Sequence, residues 1–172
     1  MIHSGAIDSA WLITGFLIAG WCYARLLFPW RPLLQDLRMQ WPALVIATLA
    51  LLVLWHIRAT VLNGLSLHLL GAMLCTLVFG PRLALVPLST VLVVAEATSG
   101  ASWWTLGLNA SLLVLWPIAL STLISVVVRK LPANIFVFIF VGGFFGSAAV
   151  VVLTGWLLTL MLWLTQSMSW GP

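Results

Sequence analysis

Long apolar stretches alternate with short clusters of prolines, glycines and charged residues along the whole chain. A helix needs about 20 apolar residues to cross the hydrocarbon core of a bilayer. The pattern therefore predicts an all-α integral membrane protein with about six transmembrane helices, forming a single polytopic domain over residues 1–172. An external leader covers residues 1–9, and the predicted helices cover residues 10–28, 41–57, 65–79, 83–97, 106–128 and 134–164.

Glycine and proline add detail to these predicted helices. The dipeptide Gly80-Pro81 separates the third helix from the fourth. Both are short, because 15 residues rise only about 22 Å and the core is about 30 Å thick. Short spans in transporters often accompany a binding site, but they also occur where the bilayer is locally thin, and both interpretations stay open. Gly15 with Ala19, and Gly142 with Gly146, have the spacing that lets helices pack closely in lipid.

Composition and charge agree with the membrane class and predict its orientation. Hydrophobic residues make up 63% of the chain and charged residues 6%, and the mean hydropathy is +1.21, whereas a soluble domain carries roughly 25% charged residues. Of the 7 bases, only Arg58 follows the second or fourth helix. The positive-inside rule then places both termini outside. The basic pI reflects arginines near loops, and no nucleic-acid partner is predicted.

All three histidines fall at or near the same predicted outer face. His3 lies in the leader, His56 at the end of the second helix and His68 at the start of the third. Glu96 and Asn109 also fall toward that face. Because imidazole is the commonest metal ligand, this distribution indicates a site for a transition-metal ion.

The amino terminus is the sharpest chemical signal. Met1-Ile2-His3 has the form X-X-His, in which an amine, two backbone amides and an imidazole can present four nitrogens in one plane. Square-planar nitrogen coordination suits Ni(II) and Cu(II), although such tripeptides also occur by chance. The first segment lacks the basic region and cleavage site of a signal peptide, so the start is expected to be retained.

Each remaining candidate has a simpler alternative. His68 is an ionisable residue in an apolar segment and so a candidate ligand, but histidines near helix ends are more often interfacial, as is also expected for His56. Gly71 shares a helix face with His68 and is expected to leave room beside it. Glu96 could orient a ligand or cap a turn. Cys75 is about 10 Å from His68 along a helix and is expected to pack in the core.

Two classes of function stay open on these residues. One is a transport subunit that captures a metal ion, and the other is a non-transporting accessory or structural subunit of a larger, unrelated membrane complex. The sequence has no phosphate-binding loop, so any ATPase activity would belong to partner subunits. It has no catalytic motif that favours an enzyme, and no bound organic cofactor is predicted.

Three segments resemble the CbiM-type permeases, and the later run 131–146 is similar to a proteobacterial branch of that family. The segments are Gly64-Leu65-Ser66-Leu67-His68-Leu69-Leu70-Gly71, Phe79-Gly80-Pro81 and Leu106-Gly107-Leu108-Asn109-Ala110. Family members are the substrate-capturing subunits of cobalt and nickel energy-coupling-factor transporters. The resemblance therefore implies ATPase subunits and a helical coupling membrane subunit as partners, in the lipid bilayer of the bacterial inner membrane.

The resemblance also implies a ligand set. The amino terminus, His3 and His68 would bind the ion as substrate, Ni2+ or Co2+ with Cu2+ as a further candidate, and Asn109 would support them. The family histidine usually follows Met1 directly, whereas Ile2 intervenes here. That shift adds a backbone amide as a ligand and releases His68, or it moves the site. The chain also looks short at its carboxyl end compared with the family.

Overall fold

The computed structural model describes residues 9–56, 60–62, 65–66, 70–99, 103–132 and 134–168. Within these residues the fold is a bundle of five long helices with one short hairpin. The elements are α1 (Ser9–Leu27), α2 (Trp30–His56), β1 (Thr60–Leu62), β2 (Leu65–Ser66), α3 (Leu70–Ser99), α4 (Trp103–Val128) and α5 (residues 137–168). Five stretches, one from each helix, are long and apolar enough to cross a membrane. This confirms the predicted all-α membrane class, with the antiparallel pair β1–β2 as an addition.

The second helix is longer than its apolar run. It begins at Trp30 rather than at the predicted residue 41, so the polar stretch 35–38 is helical and Pro42 lies inside the helix. Its apolar side chains repeat at helical spacing and pack on the middle of α3, which stabilises the helix through the polar stretch. The side chains in this cluster are Leu33, Leu37, Leu44, Phe79 and Leu83.

The predicted third and fourth helices are the two segments of α3. They meet at Gly80, whose φ of 80° and ψ of 168° are not helical. The first segment (residues 70–79) packs on α2, and the second (residues 81–99) contacts α1 through a 2.6 Å hydrogen bond between the hydroxyls of Tyr23 and Ser89. Gly80 therefore redirects the chain from one neighbour to the other without an intervening loop.

Replacing Gly80 with alanine is expected to lower the free energy of unfolding by about 1–3 kcal/mol, because its backbone conformation is essentially restricted to glycine. Nothing lies within 4 Å of a Cβ added there, so the cost comes from the backbone alone. Gly155→Ala is the matched control, since that glycine also has no neighbour within 4 Å and lies in regular α-helix. Thermal unfolding of both variants in detergent would measure the difference, and equal stability would contradict the role assigned to Gly80.

The core lies mainly between α3 and α4, and the other three helices pack around it. Cys75 is one of its buried residues, in agreement with the packing role predicted for it. Gly146 of α5 approaches this core closely, because a Cβ there would lie 3.0 Å from Met73 Cε and 3.1 Å from Ile124 Cγ2. The small residues predicted to promote close packing in the last helix thus do so against α3 and α4.

Neither α4 nor α5 is a uniform α-helix. The fourth starts as a 3-10 turn at Trp103–Thr105 and contains a π-helical turn at Ser111–Leu115. The fifth begins with a π-helical stretch, Val137–Phe145, before its α-helical part Gly146–Met168. Single π-helical turns inside α-helices are frequent at functional sites.

Candidate metal centre

The predicted metal ligands stay predictions. Met1, Ile2, His3 and His68 lie outside the described residues, and the side chain of His56, the last residue of α2, is not described. In the part of the chain that the structure describes, no group of three or more His, Cys, Asp or Glu residues comes together. The described residues instead define the end of the bundle to which the leader is attached.

Glu96 and Asn109 form a buried hydrogen-bonded pair between the last turns of α3 and the first turns of α4. Asn109 Nδ2 donates to Glu96 Oε1. Only 3% of Glu96 and 0% of Asn109 is exposed, and Thr105, one turn earlier on α4, is also fully buried. Burying polar groups in a membrane protein is costly unless they are hydrogen-bonded, so the pair fixes α3 and α4 relative to each other. The sequence placed both residues toward one face but did not pair them.

The first helix packs on the same part of α4 through two glycines. A Cβ added at Gly15 would lie 2.7 Å from Leu108 Cα, and a Cβ added at Gly107 would lie 2.5 Å from Phe16 Cγ. Ser111 Oγ also donates a 3.0 Å hydrogen bond to the Gly15 carbonyl oxygen. We call these five residues the α1–α4 junction. It brings the two helices together at a distance that only glycine permits.

As a result, the ends of several helices lie at the same end of the bundle. Farther along α1 from the junction, Tyr23 forms a hydrogen bond with Ser89 of α3, and Ser89 precedes Glu96 on that helix. The first helix and the second segment of α3 are therefore antiparallel. It follows that Ser9, Ser99 and Trp103, which are the first residue of α1, the last of α3 and the first of α4, lie at the same end. The predicted leader is attached there.

The connection between α2 and α3 differs from its prediction. Residues Leu65–Ser66 form β2, and α3 begins at Leu70, whereas the prediction began the helix at residue 65. A Cβ added at Gly71 would lie 2.0 Å from Leu51 Cδ2. The space that this glycine provides is therefore filled by α2, and the close approach it permits is between α2 and α3.

Two further polar contacts were not predicted from the sequence. Tyr23 is the single tyrosine of the chain, and a tyrosine hydroxyl away from water usually has a partner, so a hydrogen bond at this hydroxyl could have been expected. Its partner Ser89 could not, because 66 positions separate the two residues. The bond from Ser111 to the backbone of α1 spans 96 positions and leaves no local sequence signal.

Comparison with known proteins supplies a match along nearly the whole chain. The family model CbiM, described as cobalt uptake substrate-specific transmembrane region, matches residues 2–170. This range includes His3, His56, His68, Glu96 and Asn109. No curated protein and no solved structure matches the chain.

Proposed function

The chain belongs to the CbiM family, and we propose that it is the subunit that captures a divalent transition-metal ion, Co2+ or Ni2+, at the outer face of the membrane. The family description makes it a substrate-specific membrane component of cobalt uptake. The match over residues 2–170 is the observation that carries the proposal. In the described part of the chain, five helices are long and apolar enough to span a membrane, in agreement with a multi-pass protein.

The proposed site lies at the end of the bundle where α1 begins. Met1, Ile2 and His3 contribute an amine, backbone amides and an imidazole, and His68 contributes a second imidazole. His56 is a lower-ranked donor. The buried Glu96–Asn109 pair is proposed to stabilise the site, because it holds α3 and α4 in fixed positions beside the residue to which the leader is attached.

The chemistry of these donors selects the class of ion. Nitrogen ligands suit Ni2+, Co2+ and Cu2+, and affinity alone rises toward Cu2+, so the availability of each ion decides which one is captured. An amine and an imidazole bind metal only after losing their protons, and the affinity is therefore expected to rise with pH.

The proposed partners follow from what the chain lacks and from its family. Its sequence contains no phosphate-binding loop, so ATP hydrolysis is assigned to separate ATPase subunits, joined to this chain by a helical coupling subunit in the bacterial inner membrane. The excess of bases after the first, third and fifth predicted helices supports an external amino terminus.

Calorimetric titration of the purified chain in detergent tests the proposal. Co2+ and Ni2+ are expected to bind saturably and more weakly at mildly acidic pH, whereas Mg2+ should not bind measurably because it requires oxygen ligands in octahedral geometry. Failure of every divalent transition-metal ion to bind would contradict metal capture. It would favour an accessory subunit of another membrane complex.

A further inference from the structure

The α1–α4 junction has a geometry that goes beyond ordinary helix packing. The Cβ position of Gly15 is only 2.7 Å from Leu108 Cα and 2.9 Å from Leu108 N. These are backbone atoms, so they cannot move aside without moving α4 itself. Ser111 strengthens the contact, since its hydroxyl oxygen lies 3.0 Å from the carbonyl oxygens of both Gly15 and Gly107.

We propose that this junction is a positioning element for metal capture, which sets the beginning of α1, and with it the nitrogen donors of the leader, relative to the beginning of α4. The inference rests on the proposed function above. It assigns a role to Gly15, Gly107 and Ser111, none of which is a metal ligand.

The length of the helix explains why the junction matters. Ser9 lies six residues before Gly15 in α1, which is about 9 Å of rigid helix. In Gly15→Ala the added Cβ would lie 2.7 Å from Leu108 Cα. Restoring the ordinary carbon–carbon separation of about 3.5–4 Å would move the two helices apart by about 1 Å. Metal–ligand distances tolerate only about 0.2 Å, so a displacement of this size at the base of the leader disturbs a preorganised site.

The chain contains matched control positions. Gly20 lies on the same helix as Gly15, but nothing is within 4 Å of its Cβ position, and Gly155 of α5 is equally open. Alanine at Gly15 or Gly107 therefore introduces a clash at the junction, whereas alanine at Gly20 or Gly155 adds the same methyl group without one.

The experiment measures Co2+ affinity and the visible absorption spectrum of bound Co2+ in each of the four alanine variants, together with thermal unfolding. Gly15→Ala and Gly107→Ala are expected to lower the affinity at least about tenfold, as loss of support around metal ligands does, and to change the spectrum, which reports ligand geometry rather than stability. Gly20→Ala and Gly155→Ala should retain the affinity and spectrum of the wild type.

Two further variants keep the test informative if the clashing variants fold poorly. Phe16→Ala removes the ring that a Cβ at Gly107 would meet at 2.5 Å, so the double variant Phe16→Ala/Gly107→Ala should recover the affinity and spectrum of Phe16→Ala alone. Ser111→Ala deletes the hydrogen bond to Gly15 without adding atoms, and it should shift the spectrum while the protein remains folded.

The outcomes separate the two proposals. Absence of Co2+ binding by the wild-type chain would refute the proposed function, and this inference with it. Binding by the wild type, with unchanged affinity and spectrum in folded Gly15→Ala, Gly107→Ala and Ser111→Ala, would refute the positioning role alone. Loss of stability without a spectral change would refute it too, because the junction would then serve only folding.

Discussion

Replacement of His3 with alanine is expected to lower the affinity of the purified chain for Ni2+ or Co2+ by more than about 100-fold. Loss of a group that merely supports a metal ligand costs about 10–100-fold, and His3 is proposed to be a ligand itself. Isothermal titration in detergent would measure the change. An amino-terminal extension should have a similarly large effect, because it converts the free amine of Met1 into an amide.

Matched variants make this result specific. His68→Ala should weaken binding less than His3→Ala if the leader supplies four nitrogens, and by a similar amount if both imidazoles are required. His56→Ala, at the lower-ranked donor, should weaken binding least of the three, and a carboxyl-terminal extension of equal length controls for the added residues. Tight binding that survives the amino-terminal extension would show that the leader is not a ligand.

Replacement of Asn109 with leucine is expected to lower the free energy of unfolding by about 1–3 kcal/mol. The substitution keeps the branching and the number of non-hydrogen side-chain atoms but removes the donor to Glu96 Oε1, and a buried polar atom that loses its hydrogen bond carries a penalty of that size. Glu96→Gln should retain most of the stability, because its amide oxygen still accepts from Asn109. Unfolding in detergent can be followed by the fluorescence of the 11 tryptophans.

Thr98→Val is the matched control for this pair. Thr98 is also near the end of α3, but it is exposed and its hydroxyl bonds to the carbonyl oxygens of Val94 and Ala95 in its own helix. Its replacement should change stability by no more than about 0.5 kcal/mol. Substituting leucine at both Glu96 and Asn109 should cost less than the sum of the single changes, since contacting residues are coupled. Strict additivity would contradict the pairing.

Hydropathy predicts the helices of this chain wherever burial in the bilayer alone is enough to make a segment helical. A membrane-spanning segment must satisfy its backbone hydrogen bonds internally, so each long apolar run had to be helical. Helix α1, Ser9–Leu27, differs from its predicted range 10–28 by a single residue at each end, and α4 ends at Val128 as predicted. The early start of α2 was not predictable, because it depends on packing with α3, which is distant in sequence.

Short apolar runs were ambiguous for a different reason. Thr60–Leu62 and Leu65–Ser66 form strands, whereas the sequence suggested that a helix begins at Leu65. A few apolar residues fit the periodicity of a helix or of a strand equally well, and only the pairing between the two strands determines which structure forms. The Gly80-Pro81 dipeptide was recognised as a break, but the pattern could not show that a single residue suffices to redirect the helix.

At the candidate site, the sequence predicted residue types better than contacts. The topology placed Glu96 and Asn109 toward one face, and the spacing of Gly15 with Ala19 predicted that α1 packs closely on some other helix. Which helix it meets was not encoded locally, because the closest contact to Gly15 is Leu108, far along the chain. Three-dimensional pairing of this kind needs the fold.

The π-helical turn Ser111–Leu115 sets the rotational phase between the two halves of α4. A π turn accommodates an additional residue compared with an α turn, and each residue advances an α-helix by about 100°. The first half, which carries Gly107 and Asn109, is thus rotated by roughly a quarter of a circle relative to an uninterrupted helix. Deleting one residue of this stretch would therefore rotate the first half of α4 away from its contacts with Phe16 and Glu96.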